Sequence, residues 1–425
     1  MMRVACAPAG VALPAGTDIP FTLYSHRQNA ATGAVGGTIP GIVEALKLRP
    51  SARAWDFLSI SLAVIAADES CTRALSADGW TRQIELTVAV IDTMFWSSVA
   101  DDLQRALSFV TGDIWRLTFI EGGYLPKPPK VVSTRKEDGV CLLSGGMDSL
   151  IGAIDLISQG HKPLLVSQVA KGDKFDQQNF AKRVAPSCLH LQVNHNASPP
   201  CPSERSQRGR SLVFFGLGVL AATCLQTYGG SAKTDLIVPE NGFISLNVPL
   251  TPLRIGSLST RTTHPYYIAS LQSLLDKAGL NIRIRNPYQF KTKGEMLAEC
   301  QDQPLLKSLV SNSTSCGRYA RSGFRQCGRC VPCLVRRAAF QRWLRSDLTA
   351  GYKFSALGTP DKKHRDFDDV RSVAYAIHSV KQRGLDAWIG GALNSAMLGA
   401  SPDARGVVER GLEELSEFLI SQGVL

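Results

Sequence analysis

The chain lacks an apolar run long enough to cross a bilayer. Its longest, Leu212 to Leu225, is interrupted by Gly216 and Gly218 and falls short of the ~20 residues a spanning helix needs. Met1 to Gly16 carries a single arginine and is broken by Pro8 and Pro14, which makes a poor signal peptide. Low-complexity tracts and internal repeats are missing too. Charged residues make up only 20% of the chain against 44% apolar, which excludes a disordered, charge-extended polymer. The 11 cysteines show no disulfide framework: seven are scattered and four cluster. That usage fits a reducing compartment, where clustered cysteines point to metal. A cytoplasmic location and no membrane partner are the expectations.

What is present is 425 residues with a net charge of +11, enough for two or three domains. The positive balance calls for an anionic partner. Nucleic acid is one candidate, but the arginines gather around the cysteines rather than along a helix face, which favours a small anionic nucleotide and a carboxylate substrate.

Residues 1–121 carry no catalytic signature. Ile84, Leu86, Val88 and Val90 alternate with smaller or polar residues as in a half-buried strand, Val99, Leu103 and Leu107 recur at helical spacing, and Ile114 to Phe119 reads as a second strand. A small α+β accessory domain is expected. Residues 122–138 contain Pro126, Pro128 and Pro129 with four basic residues, and read as a solvated linker. From Gly139 strands and helices alternate: Pro163 to Val169, Leu189 to Val193, Leu236 to Val238 and Ile282 to Ile284 as strands, with Phe175 to Val184, Leu212 to Leu225 and Tyr267 to Ala278 as helices. This predicts an α/β domain over 139–345 built on a parallel sheet, with ligands beyond the C-terminal strand ends. A helical extension over 346–425 follows, with helices at Asp366 to Val380, Leu385 to Leu398 and Val407 to Leu419. Val408, Leu412, Leu415 and Leu419 form one apolar stripe of the last.

Within the α/β region, the apolar run Val140 to Leu143 leads into Ser144-Gly145-Gly146-Met147-Asp148-Ser149. Leu150, Ile151, Ile154 and Ile157 follow at helical spacing. Strand, glycine turn and helix form an anion cradle: backbone approaches the ligand without a Cβ, hydroxyls donate, and free N–H groups open the helix. No Gly-Lys-Ser/Thr closes the turn, so it is not a Walker A loop. Cys316, Cys327, Cys330 and Cys333, separated by ten, two and two residues, have metal-site spacing. Four thiolates give a closed, structural Zn²⁺ site, with an iron–sulfur cluster as the competing reading. Arg318, Arg321, Arg325, Arg329, Arg336 and Arg337 would offset its charge.

The glycine turn resembles the PP-loop of ATP pyrophosphatases, and two further motifs narrow the likeness. Thr314-Ser315-Cys316 with Cys327-Gly328-x-Cys330-x-x-Cys333-x-x-Arg336, and Thr292-Lys293-Gly294-Glu295 after Pro287, resemble the zinc motif and Lys-x-Glu element of the QueC-like family, the 7-cyano-7-deazaguanine synthases. The likeness covers about Gly139 to Leu344.

It implies a fold of the adenine nucleotide alpha hydrolase type, with ATP, Mg²⁺ and Zn²⁺ as cofactors. It also implies adenylation of 7-carboxy-7-deazaguanine with release of pyrophosphate. Ser144 to Ser149 would hold ATP. Asp148 and Lys293 would be catalytic, Asp148 supporting the loop or Mg²⁺ and Lys293 reaching a phosphate, although a solvated helix-start lysine is the plainer alternative for the latter. Arg208 and Arg210 would pair with phosphate or the substrate carboxylate, or simply cap their helix. The family's proline-glycine-arginine-asparagine turn is expected where this chain reads Gln207-Arg208-Gly209-Arg210.

The added regions at both ends resemble the QueC-like component of Qat-type anti-phage defence systems, which implies acyl transfer to an amine on a partner protein. The alternatives are an orthodox synthase using ammonia, and a tRNA-modifying PP-loop enzyme.

Overall fold

The computed structural model describes residues 2–169, 172–204, 206–251, 261–357, 369–393 and 402–425. Two five-stranded parallel sheets dominate it. The first has the order β3-β2-β1-β4-β5: β1 (Met2–Pro8), β2 (Ile19–Ser25), β3 (Gly33–Gly36), β4 (Gln83–Ala89) and β5 (Ile114–Ile120). The N-terminal region is therefore parallel α/β, not α+β. The expected strand at Ile84 and the one at Ile114 are both present, but β1 to β3 carry no clean alternation. β3 is Gly-Ala-Val-Gly and wholly buried, so period-2 patterning had nothing to show.

The second sheet has the order β10-β9-β6-β7-β8, from β6 (Gly139–Leu142), β7 (Pro163–Gln168), β8 (His190–Val193), β9 (Thr234–Ile237) and β10 (Ile282–Arg285). All its pairings are parallel, as the strand–helix alternation predicts. β6 is central, and the strand order reverses there. The crevice past its C-terminal end is where an open α/β sheet binds ligands, and Ser144 lies in it.

The sheets meet through two helices. α1 (Ala52–Ser70), capped by Ser51, is buried from Ala54 to Ser70, and so shows no polar face from which a helix could be read. It packs on α2 (Arg210–Ala222), and one continuous apolar core runs from Val4 and Phe57 to Leu217 and Ile284. A buried charge cluster lies on the N-terminal side of the same junction: Arg82 lies 2.5 Å from Asp68 and 2.6 Å from Asp113, and Arg73 lies 2.6 Å from Asp113, while Asp68 also accepts from the backbone of Arg208 and Gly209 just before α2. The residues between, 123–134, contain no helix or strand, as the prolines require.

The remaining helices that bear on the site are α3 (Met147–Ser158), α4 (Lys174–Val184), α5 (Pro265–Lys277), α6 (Lys293–Glu299) and α7 (Val331–Leu344). The C-terminal extension is helical, with α8 (Asp369–Arg383), α9 (Leu385–Leu393) and α10 (Pro402–Ser421). The expected helical ends at 366–368 and 394–398 lie outside the described residues. Val408, Leu412, Leu415 and Leu419 are all buried, against Leu334, Val335, Ala338 and Val373. No helix among the described residues is long and apolar enough to cross a membrane.

Candidate active site

The glycine turn is held from three sides. Gly145 has φ +88°, a left-handed conformation open to glycine at little cost. Ser149 Oγ stands 3.0 Å from Ser144 Oγ and accepts from Ser144 N at 3.1 Å, while Gly146 N donates to Ser144 Oγ at 3.2 Å. Gln177 of α4 donates to Ser144 O at 3.1 Å, and Thr314 N donates to Gly145 O at 3.0 Å. The segment leading into the cysteines thus pairs directly with the turn, through the bridge Gly146–Thr314. Met147 contributes backbone only, since its side chain is buried in the core under α3.

Asp148 and Lys293, 145 residues apart, form a buried ion pair of 2.5 Å. Asn241 donates to the other carboxylate oxygen from its backbone at 3.1 Å and its amide at 2.7 Å. Burial pushes the Asp148 carboxyl up, but the Lys293 charge and the hydrogen bonds to it win and hold it well below the usual range. Glu240 is the counterpart. Burial, then the Asp148 charge, raise it well above a normal carboxyl. Lys293 opens α6 behind a capping box in which Thr292 and Glu295 satisfy each other's backbone. It is therefore buried and paired rather than solvated.

Ser144, Asp148, Ser149, Glu240 and Lys293 line a cavity of about 300 Å³ with Pro239, Ile244, Thr314, Ser315 and Pro332. A second cavity, about 450 Å³, shares the Thr314 to Gly317 wall and is lined by Asp173, Asn194, His195, Gln207, Arg210 and Tyr319. Arg210 thus belongs to the site region. Burial pushes its guanidinium down from the usual range, with Asp173 and Glu69 pulling it back. Neither acid comes within ion-pair distance of it among the described residues. His195 is held by Gln168 at 3.1 Å and by Glu69, from α1, at 3.3 Å, so the N-terminal region reaches this cavity wall.

Arg208 is different. Its guanidinium lies 4.3 Å from the Trp80 ring centroid and donates to Thr111 O at 2.8 Å, while its backbone N–H donates to Asp68 at 2.6 Å. It joins the N-terminal region and does not line either cavity, so the geometry moves it from substrate contact to domain contact. Of the turn Gln207 to Arg210, Gln207 and Arg210 line the second cavity and Arg208 does not. Pro239 lines the cavity beside the loop, and Asn241 holds the Asp148 carboxylate. Glu240 and Asn241 were the residues sequence reasoning missed, and the signal was their place just past β9, beside central β6.

The four cysteine sulfurs lie within 4.8 Å of one another, with Cys327–Cys333 at 3.8 Å and Cys316–Cys330 at 3.9 Å. A tetrahedron of zinc–sulfur bonds of ~2.3 Å has edges of about 3.8 Å, so the donor set fits zinc. Backbone N–H groups of Arg318 and Cys327 donate to Cys316, and that of Cys330 to Cys327, each at 3.3 Å. Several of the flanking arginines hold backbone carbonyls: Arg329 binds Ala356 O, Arg336 binds Val310 O and Ser313 O, and Arg337 binds Ser355 O. Their part is to fold the loop around the sulfurs.

Residues 262–344 match the family described as Queuosine biosynthesis protein QueC. This part of the chain is QueC-like. The match takes in Lys293 and all four cysteines, and it begins after the glycine turn. No curated protein and no solved structure gives a significant match. The match spans 83 of the 425 residues, and the likeness to QueC is shown over that part of the chain.

Proposed function

We propose that the chain is a PP-loop enzyme that adenylates the carboxylate of 7-carboxy-7-deazaguanine, or a related deazapurine acid, and passes the acyl group to an amine. One observation carries the reading: the glycine turn, the Lys293 helix and the cysteine segment, far apart in sequence, meet around one cavity. Backbone N–H groups at the start of α3, with Ser144 and Ser149, suit the β,γ-pyrophosphate. Lys293 leaves Asp148 for a phosphate when ATP enters. Mg²⁺ would be held by Asp148 and Glu240, two adjacent carboxyls whose mutual repulsion a divalent cation relieves, and it supplies charge screening on the triphosphate. Arg210 pairs with a phosphate or with the acid's carboxylate. Zn²⁺ on the closed set of four thiolates is structural.

In the first step a carboxylate oxygen bonds to the α-phosphorus and the α–β bridging bond breaks, releasing pyrophosphate. In the second, the amine nitrogen bonds to the acyl carbon, the C–O bond to AMP breaks, and the nitrogen loses a proton to solvent. The acceptor is an amine on a partner protein, as the resemblance to Qat-type defence components implies. With ¹⁸O in the acid's carboxylate, one label should appear in AMP. Label-free AMP would remove the acyl-adenylate from the mechanism. Efficient nitrile formation from ammonium by the protein alone would assign it instead to an orthodox synthase.

A further inference from the structure

Lys293 is the first residue of a seven-residue helix, so its aim depends on how that helix is held. The C-terminal helix α10 takes hold of both halves of its capping box. Thr292 Oγ1 accepts from Glu295 N at 3.1 Å and donates to the carboxylate of Glu414. A hydroxyl has one hydrogen. Committing it to Glu414 turns the lone pairs toward the helix N–H, so Glu414 fixes the rotor of the cap. Gly294 N also donates to Glu414, at 3.3 Å. The other half of the box, Glu295, is taken by Arg410 at 2.6 Å, one turn earlier on α10.

Gly294 is what allows this approach. A Cβ there would come within 2.5 Å of Glu414 Oε1 and 2.6 Å of Arg342 Cδ. Arg342, in turn, lies 3.3 Å from Glu414 and sits on α7, the helix that follows its N-cap Cys330 and carries Cys333. The lysine helix is therefore clamped between the C-terminal extension and the helix that leaves the cysteine cluster.

We propose that Glu414 is a positioning residue for Lys293, and that the C-terminal extension sets how this lysine meets ATP. The proposal rests on the reading of Lys293 as a phosphate ligand. Glu414 is faced by Arg342 from α7, by Glu295 from α6 and by the donors of Thr292 and Gly294, with Arg410 nearby on its own helix. Burial pushes its carboxyl up to about 7, against the Thr292 hydrogen bond and the Arg342 charge, while Glu295 adds to the rise. The clamp accordingly changes charge within the neutral range.

The test is the dissociation constant of a fluorescent ATP analogue with Mg²⁺, measured from pH 6 to pH 8.5 alongside thermal melts. Glu414→Gln should weaken binding about tenfold at pH 8, the worth of a hydrogen bond to a charged group. It should match the native protein near pH 6, where the native carboxyl is itself protonated. Arg342→Gln, which keeps Glu414 but removes its cation, should move the native inflection to higher pH. Wild-type affinity for Glu414→Gln at every pH overturns the proposal, and so does a pH-independent loss that follows the melting temperature. Wild-type affinity for Lys293→Ala overturns instead the phosphate role of Lys293 on which the proposal stands.

Discussion

Asp148 answers to Lys293 at 2.5 Å, to Asn241 at 2.7 Å and to the adjoining Glu240 carboxyl. Removing Lys293 leaves two carboxyls facing each other in a buried space, and breaking such a pair costs about 3–5 kcal/mol. Lys293→Met should therefore lower both melting temperature and ATP affinity, and adding Asp148→Asn should restore stability without restoring ATP binding. Because Asp148 is held below its ordinary value, the stability it contributes is present above that value and lost as pH falls through the lowered one. Urea unfolding of Asp148→Asn should accordingly show a shallower loss of stability at the acid end than the native protein, with the slopes left by Asp113, Glu137 and Asp235 still present. The two arginines before α2 give a sharper contrast. Arg208→Ala loses a ring contact and a hydrogen bond at the domain junction and should cost about 1 kcal/mol of stability with ATP affinity intact. Arg210→Ala should do the reverse. From the sequence both arginines look alike, because nothing local shows that Trp80 and Asp68 wait for one of them.

At the level of elements, the cysteine loop is tied to the glycine turn through Thr314 N and Gly145 O at 3.0 Å, and Arg336 braces the same stretch through Val310 O and Ser313 O. One zinc per chain is expected by metal analysis. Stripping it with a chelator should weaken ATP binding as well as lower the melting temperature, since the strand that closes the turn loses its anchor. Binding that survives metal removal would uncouple the two. The glycine turn and the cysteines were legible because each carries its chemistry within about twenty residues. Their junction was not, because Thr314 and Gly146 meet across some 170 residues of chain, and no pattern in either stretch names the other. Glu414 was hidden for the same reason. It stands beside the apolar stripe of α10, and the stripe explains the helix without it.

For the whole molecule, the two sheets share one core, and α1 and α2 bury each other. The added N-terminal region is thus a structural half rather than an appendage. Residues 139–425 produced alone should aggregate through the uncovered face of α2, and co-production with 1–138 should return soluble protein, as read by size-exclusion chromatography. The second sheet was legible from alternating strands and helices. Of the first, β4 and β5 were legible and β1 to β3 were not, since those three carry no clean alternation and α1 is buried on every side.

In the proposed reaction, the Ser144 to Ser149 turn holds ATP for cleavage between its α and β phosphates on behalf of a deazapurine acid. Isotope exchange between ATP and labelled pyrophosphate tests it directly. Rapid exchange is expected with 7-carboxy-7-deazaguanine and Mg²⁺, little without the acid, and none in Lys293→Met. Release of ADP and phosphate with no exchange would contradict it.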